Sequence, residues 1–177
     1  MTALTAGTWT IDPAHSEIGF TVRHLVSKVR GSFSDVEATV VSQGEVETAK
    51  VSGSVAVASV STGNSQRDGH LQSGDFFEAE AFPRLSFVST GVEGSGDSFT
   101  LHGDLTMKGI TKPVDFQVEF GGTTQDANGV TVAGAEATAK ILREDFGLSW
   151  NASLEAGGVL VGSEVTIRID AEFQLQA

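Results

Sequence analysis

The residues of this chain that could carry chemistry are few, and most of them lie near its start. Asp12, His15 and Ser16 supply the three side-chain types of an acyl-transfer triad. His15 and Ser16 are adjacent, however, and adjacent residues of a strand point to opposite faces. No Gly-x-Ser-x-Gly nucleophile motif occurs in the sequence. We therefore predict no catalytic residue.

His15 and His24 could bind a metal ion together with a carboxylate. They are nine residues apart, and this odd spacing places them on opposite faces of a regular strand. A turn or bulge near His15 would be needed to bring them together. Isolated histidines are more often hydrogen-bonded structural groups, so we predict neither a metal site nor a cofactor.

Strands must position any site in this chain, because long stretches alternate apolar and polar residues. Residues 99–107, 113–120 and 164–175 are apolar at every second position, which is typical of strands with one buried face. Short connections rich in turn-forming residues favour antiparallel neighbours. The pattern indicates an all-β sandwich or closed barrel, and no linker divides residues 1–177 into more than one domain. Strand candidates occupy residues 8–11, 16–25, 29–41, 50–60, 84–93, 98–108, 112–122, 130–142 and 162–175.

Residues 64–77 interrupt the alternating pattern. They could form one or two helical turns, with Asn64 or Ser65 as the N-cap. Phe76 and Phe77 could then pack over one end of a barrel. A second interruption covers residues 143–150.

These two segments carry the polar side chains Arg67, His70 and Arg143. In a functional interpretation, one of the three holds the polar end of an otherwise apolar ligand at the mouth of a barrel. In the structural interpretation, which we favour, salt bridges and loop hydrogen bonds fix the two segments to the barrel.

One strand candidate has an inward face made almost entirely of alanine, at positions 133, 135, 137 and 139. Such a face leaves volume that neighbouring strands must fill. If large side chains do not fill it, an apolar cavity remains, and apolar ligands bind well in such cavities. Barrels of about eight strands include both packed and ligand-holding examples.

The amino-acid composition limits the classes of molecule that the protein is expected to bind. The 177 residues include 11 basic and 23 acidic side chains, a formal net charge of −12. Such a charge disfavours nucleic acids and anionic lipid headgroups as partners. The absence of cysteine excludes disulfides, thiolate metal sites and a cysteine nucleophile. No apolar run approaches the ~20 residues that span a bilayer, so we predict no stable membrane insertion. The first residues contain no secretory signal pattern, which predicts a cytoplasmic location.

An ordered set of motifs resembles the YceI-like family over roughly residues 9–175. The opening motifs are Trp9-Thr-Ile-Asp-Pro-Ala-His-Ser16, Ile18-Gly-Phe-Thr-Val-Arg-His24 and Val29-Arg-Gly-Ser-Phe33. The middle signature covers residues 62–77 and Phe82-Pro-Arg-Leu-Ser-Phe-Val-Ser89. A hairpin at residues 101–114, then Arg143-Glu-Asp-Phe-Gly-Leu148 and Val161-Gly-Ser-Glu-Val165, complete the pattern.

The resemblance implies an antiparallel, roughly eight-stranded lipocalin-like β-barrel with one or two short helical segments. It also implies a long apolar pocket, because family members characterised as binders hold polyisoprenoid chains, including isoprenoid quinones. Dimers occur among them, so a second copy of the chain is a candidate partner. The resemblance implies binding and carries over no catalytic residue.

We therefore expect the barrel to bind an isoprenoid lipid or isoprenoid quinone, for sequestration, transport or storage. The expected polar contacts are His24, Arg67, His70 and Arg143. The expected apolar wall comprises Phe20, Val22, Phe33, Phe87, Leu101, Leu105, Phe116, Val118, Ala135, Ala137, Ile141, Ile167 and Ile169. Two alternatives are an enzyme that acts on such a lipid through His24 or Arg143, and a packed barrel that serves as a stress or interaction protein.

Overall fold

The computed structural model describes residues 1–155 and 157–177 and consists mainly of antiparallel strands. The described residues form eleven strands, one α-helix and four short 3₁₀ turns. The strands are β1 (Ala3–Ile11), β2 (Glu17–His24), β3 (Ser27–Phe33), β4 (Val36–Glu45), β5 (Lys50–Ala56), β6 (Val60–Ser61), β7 (Arg84–Glu93), β8 (Ser98–Met107), β9 (Ile110–Gln125), β10 (Thr131–Leu142) and β11 (Val161–Leu175). The helix α1 is Ser65–Gln72, and the 3₁₀ turns are Pro13–His15, Val46–Thr48, Val57–Ser59 and Arg143–Phe146.

Eight of these strands form a closed ring in the order β1-β4-β5-β7-β8-β9-β10-β11. The ring closes where β11 pairs with β1, with Trp9 opposite Leu175 and Ile11 opposite Phe173. The predicted all-β, eight-stranded antiparallel barrel is therefore confirmed.

Strand β11 also extends the barrel beyond this ring. Its C-terminal part pairs with β1, whereas its N-terminal part pairs with β2, with Val165 opposite Val22. The sheet then continues through β3 to β6. Helix α1 follows β6 after three residues, so β2, β3 and α1 surround one end of the barrel, here called the helical end.

The alanine face of β10 lies opposite large side chains of β11. Ala137 pairs with Ile169 and Ala139 pairs with Ile167, while Ala137 also faces Val118 of β9. Small residues beside branched ones leave space on the inner side of this sheet. The intervening residues Glu136 and Thr138 are exposed, as the alternation predicts.

The prediction of one continuous strand over residues 29–41 is wrong. The structure divides this stretch into two strands: β3 ends at Phe33, and β4 begins at Val36. The apolar wall residues of β3, Val29 and Phe33, have odd numbers, whereas those of β4 are Val36, Ala38 and Val40 and have even numbers. A change of parity marks a break in a strand, because a continuous strand keeps its inward face at every second residue.

The stretch at residues 50–60 is also divided. Strand β5 ends at Ala56, and the 3₁₀ turn Val57–Ser59 separates it from β6. Val57 is fully buried in this turn, so its apolar character anchors a turn and does not continue the strand.

The predicted helical segment is confirmed as α1. The Asn64 side chain accepts a hydrogen bond from the Arg67 amide at 3.0 Å and is the N-cap. Phe76 and Phe77, which follow the helix, are both buried in the core. No helix among the described residues is long and apolar enough to cross a membrane.

Candidate functional site

A cavity of about 940 Å³ occupies the interior of the barrel. This volume lies near the upper end of the range for small-molecule sites. Its wall is built from the inward faces of the strands and is predominantly aliphatic and aromatic. The barrel is therefore not packed solid, and the alternative of a filled barrel is wrong.

Every residue that the sequence analysis named as a ligand contact lies on this wall, although contact with a ligand stays a prediction. The apolar ones are Phe20, Val22, Phe33, Phe87, Leu101, Leu105, Phe116, Val118, Ala135, Ala137, Ile141, Ile167 and Ile169, and the polar ones are His24, Arg67, His70 and Arg143.

Aromatic packing fixes the middle of the wall. The rings of Phe87 and Phe116 meet edge to face, with centroids 5.2 Å apart. Phe87 lies over Gly103 of the neighbouring strand, where a side chain would overlap the ring. Phe20 covers Gly31 in the same way. These glycines allow the rings to lie flat on the sheet, so the cavity keeps its width.

A second apolar cluster lines the end of the cavity remote from α1. Trp9 is 1% exposed and packs with Leu4, Val46 and Ala133. Its indole N–H donates to the Thr5 carbonyl oxygen at 3.0 Å. Sequence reasoning missed Trp9 and Leu4 as wall residues, because a register shift in β1 interrupts the alternation between them.

His70 and Trp150 meet at the helical end. Their rings are edge to face with centroids 4.7 Å apart, and Phe76 packs against both. His70 Nε2 also lies 2.9 Å from a carboxylate oxygen of Asp75. The imidazole is thereby held between aromatic rings and an acid at the edge of the cavity.

Arg143 is 4% exposed and is surrounded by backbone carbonyl groups. Its Nη1 donates to the carbonyl oxygens of Leu148 and Trp150, and its Nε donates to that of Gly162. Burial lowers the pKa of this guanidinium below its usual value. These contacts join the segment after β10 to the start of β11, which matches the structural interpretation favoured from the sequence.

Arg67 is held differently. Its Nε donates to the Thr62 hydroxyl at 2.7 Å and its Nη2 donates to the Thr62 carbonyl oxygen at 2.8 Å. The Thr62 hydroxyl in turn donates to Asp68 at 2.6 Å. Across the described parts of the chain, Arg67 forms no ion pair with a carboxylate. Compared with Arg143, Arg67 therefore has fewer protein partners and is the better candidate to bind a ligand's polar group.

The structure does not bring His15 and His24 together. His24 lies on the cavity wall, whereas His15 lies outside it, with Nδ1 2.8 Å from Asp12 and 3.8 Å from Glu172. The hydrogen bond with Asp12 raises the pKa of His15 and lowers the pKa of Asp12. His15 and His24 therefore lie in different parts of the structure and do not form a shared metal site.

The geometry is that of a closed barrel with an apolar interior and polar groups at one end, and the sequence matches a known domain. A family model described as YceI-like domain matches residues 9–173. The chain belongs to the YceI-like family. The resemblance inferred from the sequence motifs is confirmed.

Relatives of this YceI-like chain extend over nearly its whole length. It is 40% identical over 172 residues to UPF0312 protein SAS2572 of Staphylococcus aureus, which covers 94% of this chain and 97% of that protein. The structure is similar to that of Burkholderia cenocepacia BcnA, with a TM-score of 0.78 and 21% identity over 92% of this chain and 98% of that one. It is also similar to a polyisoprenoid-binding domain from Saccharophagus degradans implicated in plant cell wall breakdown, with a TM-score of 0.69, 13% identity, and coverage of 95% and 98%. At these identities the two structures demonstrate the shared fold alone.

Proposed function

We propose that this YceI-like barrel binds an isoprenoid lipid or an isoprenoid quinone in its interior, for sequestration, transport or storage. The observation that carries the proposal is the apolar cavity of about 940 Å³, whose polar side chains are concentrated at the helical end. An apolar chain would lie along the barrel, and a polar headgroup would lie near Arg67 and His24.

Burial is the source of affinity in this proposal. Each CH₂ group withdrawn from water contributes about 0.8 kcal/mol, so one five-carbon isoprene unit contributes roughly 4 kcal/mol. Ordering the flexible chain and losing its free translation oppose this gain. A chain of several units still retains a large surplus, and the length of the cavity would then select the length of the ligand.

Similarity supports the same class of ligand. The Saccharophagus degradans domain is described as polyisoprenoid-binding and shares the barrel fold. The inner faces of β8, β9, β10 and β11 are almost continuously apolar in this chain, which suits a hydrocarbon chain better than a polar metabolite.

The arrangement favours binding over catalysis. An enzyme would need a free acid, base or nucleophile beside the ligand. Arg143, one of the two groups considered for catalysis, donates its hydrogen bonds to backbone carbonyl oxygens. The other, His24, has no orienting carboxylate within ion-pair distance in the described chain. We therefore propose a binding protein.

Mass spectrometry of an organic-solvent extract from the natively purified protein tests the proposal. We expect an isoprenoid or isoprenoid quinone in stoichiometric amount, absent from a mock purification and from an Ala137→Trp variant prepared in parallel. If extracts are empty and the purified barrel also takes up none of a series of added isoprenoids of increasing length, the proposal is wrong.

Several expected properties stay predictions. Cell fractionation tests the cytoplasmic location, and light scattering tests the homodimer. The predicted absence of nucleic-acid binding is tested by electrophoretic mobility of labelled DNA and RNA. None of these outcomes changes the proposed contents of the cavity.

A further inference from the structure

The hairpin that joins β2 to β3 exposes apolar side chains at its tip. Val26 is 95% exposed and Leu25 is 43% exposed. Leu25 also has a φ of 54°, in the left-handed region that disfavours branched and bulky residues. The other non-glycine residues with positive φ among those described are the polar Glu78 and Lys108. Glycine would adopt this backbone conformation with less strain than leucine. The leucine at position 25 therefore suggests a functional role for its side chain.

Basic side chains surround this tip. Arg23 lies directly opposite Lys28 in the hairpin, and Arg30 follows two residues later on the same face of β3. All three are exposed, and none forms an ion pair with a carboxylate in the ranges 1–155 and 157–177. The hairpin between residues 21 and 31 contains no acidic residue, although the chain carries a net charge of −12. It therefore presents a local positive surface on an acidic protein.

The opposite face of the same hairpin lines the cavity. Val22, His24 and Val29 are on the cavity wall, on the face opposite Arg23 and Lys28. The hairpin tip, the three basic residues and the cavity wall therefore belong to one two-stranded element at the helical end.

The neighbouring loop adds to this surface. The Leu25 amide donates to the Leu160 carbonyl oxygen at 3.0 Å, and Leu160 lines the cavity while Val159 beside it is 54% exposed. Asn64, the N-cap of α1, and Gln66 in its first turn also line the cavity and are exposed. The cavity thus reaches the protein surface at the end where the apolar tip projects.

We propose that this surface, formed by Leu25, Val26, Arg23, Lys28 and Arg30, docks on an anionic membrane. The two apolar side chains would enter the headgroup region while the basic ones contact lipid phosphates. The inference rests on the proposed function, since docking would place the helical end of the cavity against the bilayer from which an isoprenoid is taken. The proposed contact is peripheral and reversible.

The net charge of the chain does not prevent this contact. Electrostatic interactions in physiological salt are screened beyond about 8 Å, so a membrane phosphate responds to the hairpin and only weakly to acidic residues on the far side of the barrel. The expectation from composition, that anionic headgroups are excluded, therefore applies to the protein as a whole and not to this surface.

Co-sedimentation with vesicles tests the proposal. We expect the protein to bind vesicles of equal parts phosphatidylcholine and phosphatidylglycerol, to bind pure phosphatidylcholine much more weakly, and to be released by added salt. Arg23→Glu/Lys28→Glu should weaken binding about tenfold or more, because each basic residue near a membrane contributes several-fold. Leu25→Gly/Val26→Ser should also weaken it, and glycine suits the backbone at position 25.

A matched control changes the same kinds of residue elsewhere. Val88→Asp/Lys50→Glu alters an exposed valine and an exposed lysine on β7 and β5, and it should leave vesicle binding unchanged. If the wild-type protein binds neither kind of vesicle, the docking proposal is wrong. It is also wrong if both hairpin variants bind anionic vesicles as strongly as the wild type does.

Uptake of farnesol from solution separates this proposal from the proposed function. The hairpin variants should take up farnesol as the wild type does, because the substituted side chains lie outside the cavity. Farnesol uptake without vesicle binding would overturn the docking surface alone. Failure to retain any isoprenoid, with vesicle binding intact, would overturn the proposed function and leave the docking surface supported.

Discussion

Arg143 donates a hydrogen bond from Nη1 to the carbonyl oxygen of Trp150, at 2.8 Å. The same nitrogen also donates to Leu148 at 2.7 Å, and Nε donates to Gly162 at 2.8 Å. One buried side chain thus joins the end of β10, the aromatic group beside His70 and the start of β11. The helical end of the cavity depends on this arginine for its shape.

We predict that Arg143→Met destabilises the fold by about 3 kcal/mol, because several buried carbonyl groups lose their donor. Arg143→Lys should recover only part of this loss. The planar guanidinium donates from several nitrogen atoms to carbonyl oxygens on different sides, whereas a single ammonium group cannot reach all of them. Urea unfolding followed by circular dichroism measures both changes. Arg67→Met is a useful comparison, and a loss as large as that of Arg143→Met would contradict the distinction drawn between the two arginines.

A second prediction concerns Gly103 beneath the Phe87 ring. A Cβ atom at position 103 would overlap the ring and lie 2.7 Å from the Val88 carbonyl oxygen. We expect Gly103→Ala to lower the free energy of unfolding by about 1–3 kcal/mol, since the ring must leave its position against Phe116. Thermal and urea unfolding measure the change.

Gly91→Ala is the matched control, because nothing lies within 4 Å of a Cβ atom built at Gly91. It should change stability by much less than Gly103→Ala does. Combining Gly103→Ala with Phe87→Leu should cost less than the sum of the two single changes, since the smaller side chain removes the overlap. Additive losses would show that the ring is not the obstacle.

Strand alternation is a local property of the sequence, and it predicted the strands but left a sandwich and a closed barrel both open. The resemblance to the YceI-like family then selected the barrel. The inward positions of β8, β9 and β11 can be read from every second residue, and the structure places them on the cavity wall. Sequence reasoning failed where alternation changes phase, between Phe33 and Val36 and between Leu4 and Gly7. At such breaks the pairing partner determines the register, and pairing is a property of the folded chain.

The polar part of the site was harder to predict for a related reason. Arg67, His70 and Arg143 were singled out together, but the sequence cannot tell which of them is already bonded to the protein. Arg143 is surrounded by carbonyl groups from residues up to nineteen positions away. The basic surface of the β2–β3 hairpin was missed because Arg23 and Lys28 are five residues apart in the sequence and become neighbours only by cross-strand pairing.

A third prediction concerns pH. His102 contacts Asp115 through Nδ1 at 2.6 Å and Glu93 through Nε2 at 2.9 Å. The hydrogen bond with Asp115, followed by that with Glu93, raises the pKa of His102 above its ordinary value of 6.5. A raised pKa in the folded state means that the charged imidazole stabilises the fold. This contribution is complete below about pH 6.5 and is lost as the pH rises through the raised pKa.

His102→Gln removes the titrating group and keeps a hydrogen-bonding side chain. The melting temperature of the wild type should exceed that of the variant in mildly acidic buffer, and the difference should shrink as the pH rises above 6.5. Thermal unfolding of both proteins across this range, with the imidazole titrated by NMR, measures the effect. A difference that is constant with pH would show that protonation of His102 does not contribute.

The last prediction concerns the alanine face of β10. Ala137 lies on the cavity wall between Val118 and Ile169, and its small side chain leaves the barrel interior open there. We expect Ala137→Trp to abolish retention of an isoprenoid while the protein stays folded, because the indole would occupy space within the cavity. Extraction and mass spectrometry, with circular dichroism as the folding check, measure the result.

Thr138→Trp places the same indole on the next residue, which is exposed on the outer face of β10. This variant should retain the ligand in full, since adjacent residues of a strand point to opposite sides of the sheet. The pair therefore separates blockage of the cavity from any general effect of a tryptophan on β10. Full retention of ligand by Ala137→Trp would remove this strand from the binding surface and would place the isoprenoid elsewhere in the barrel.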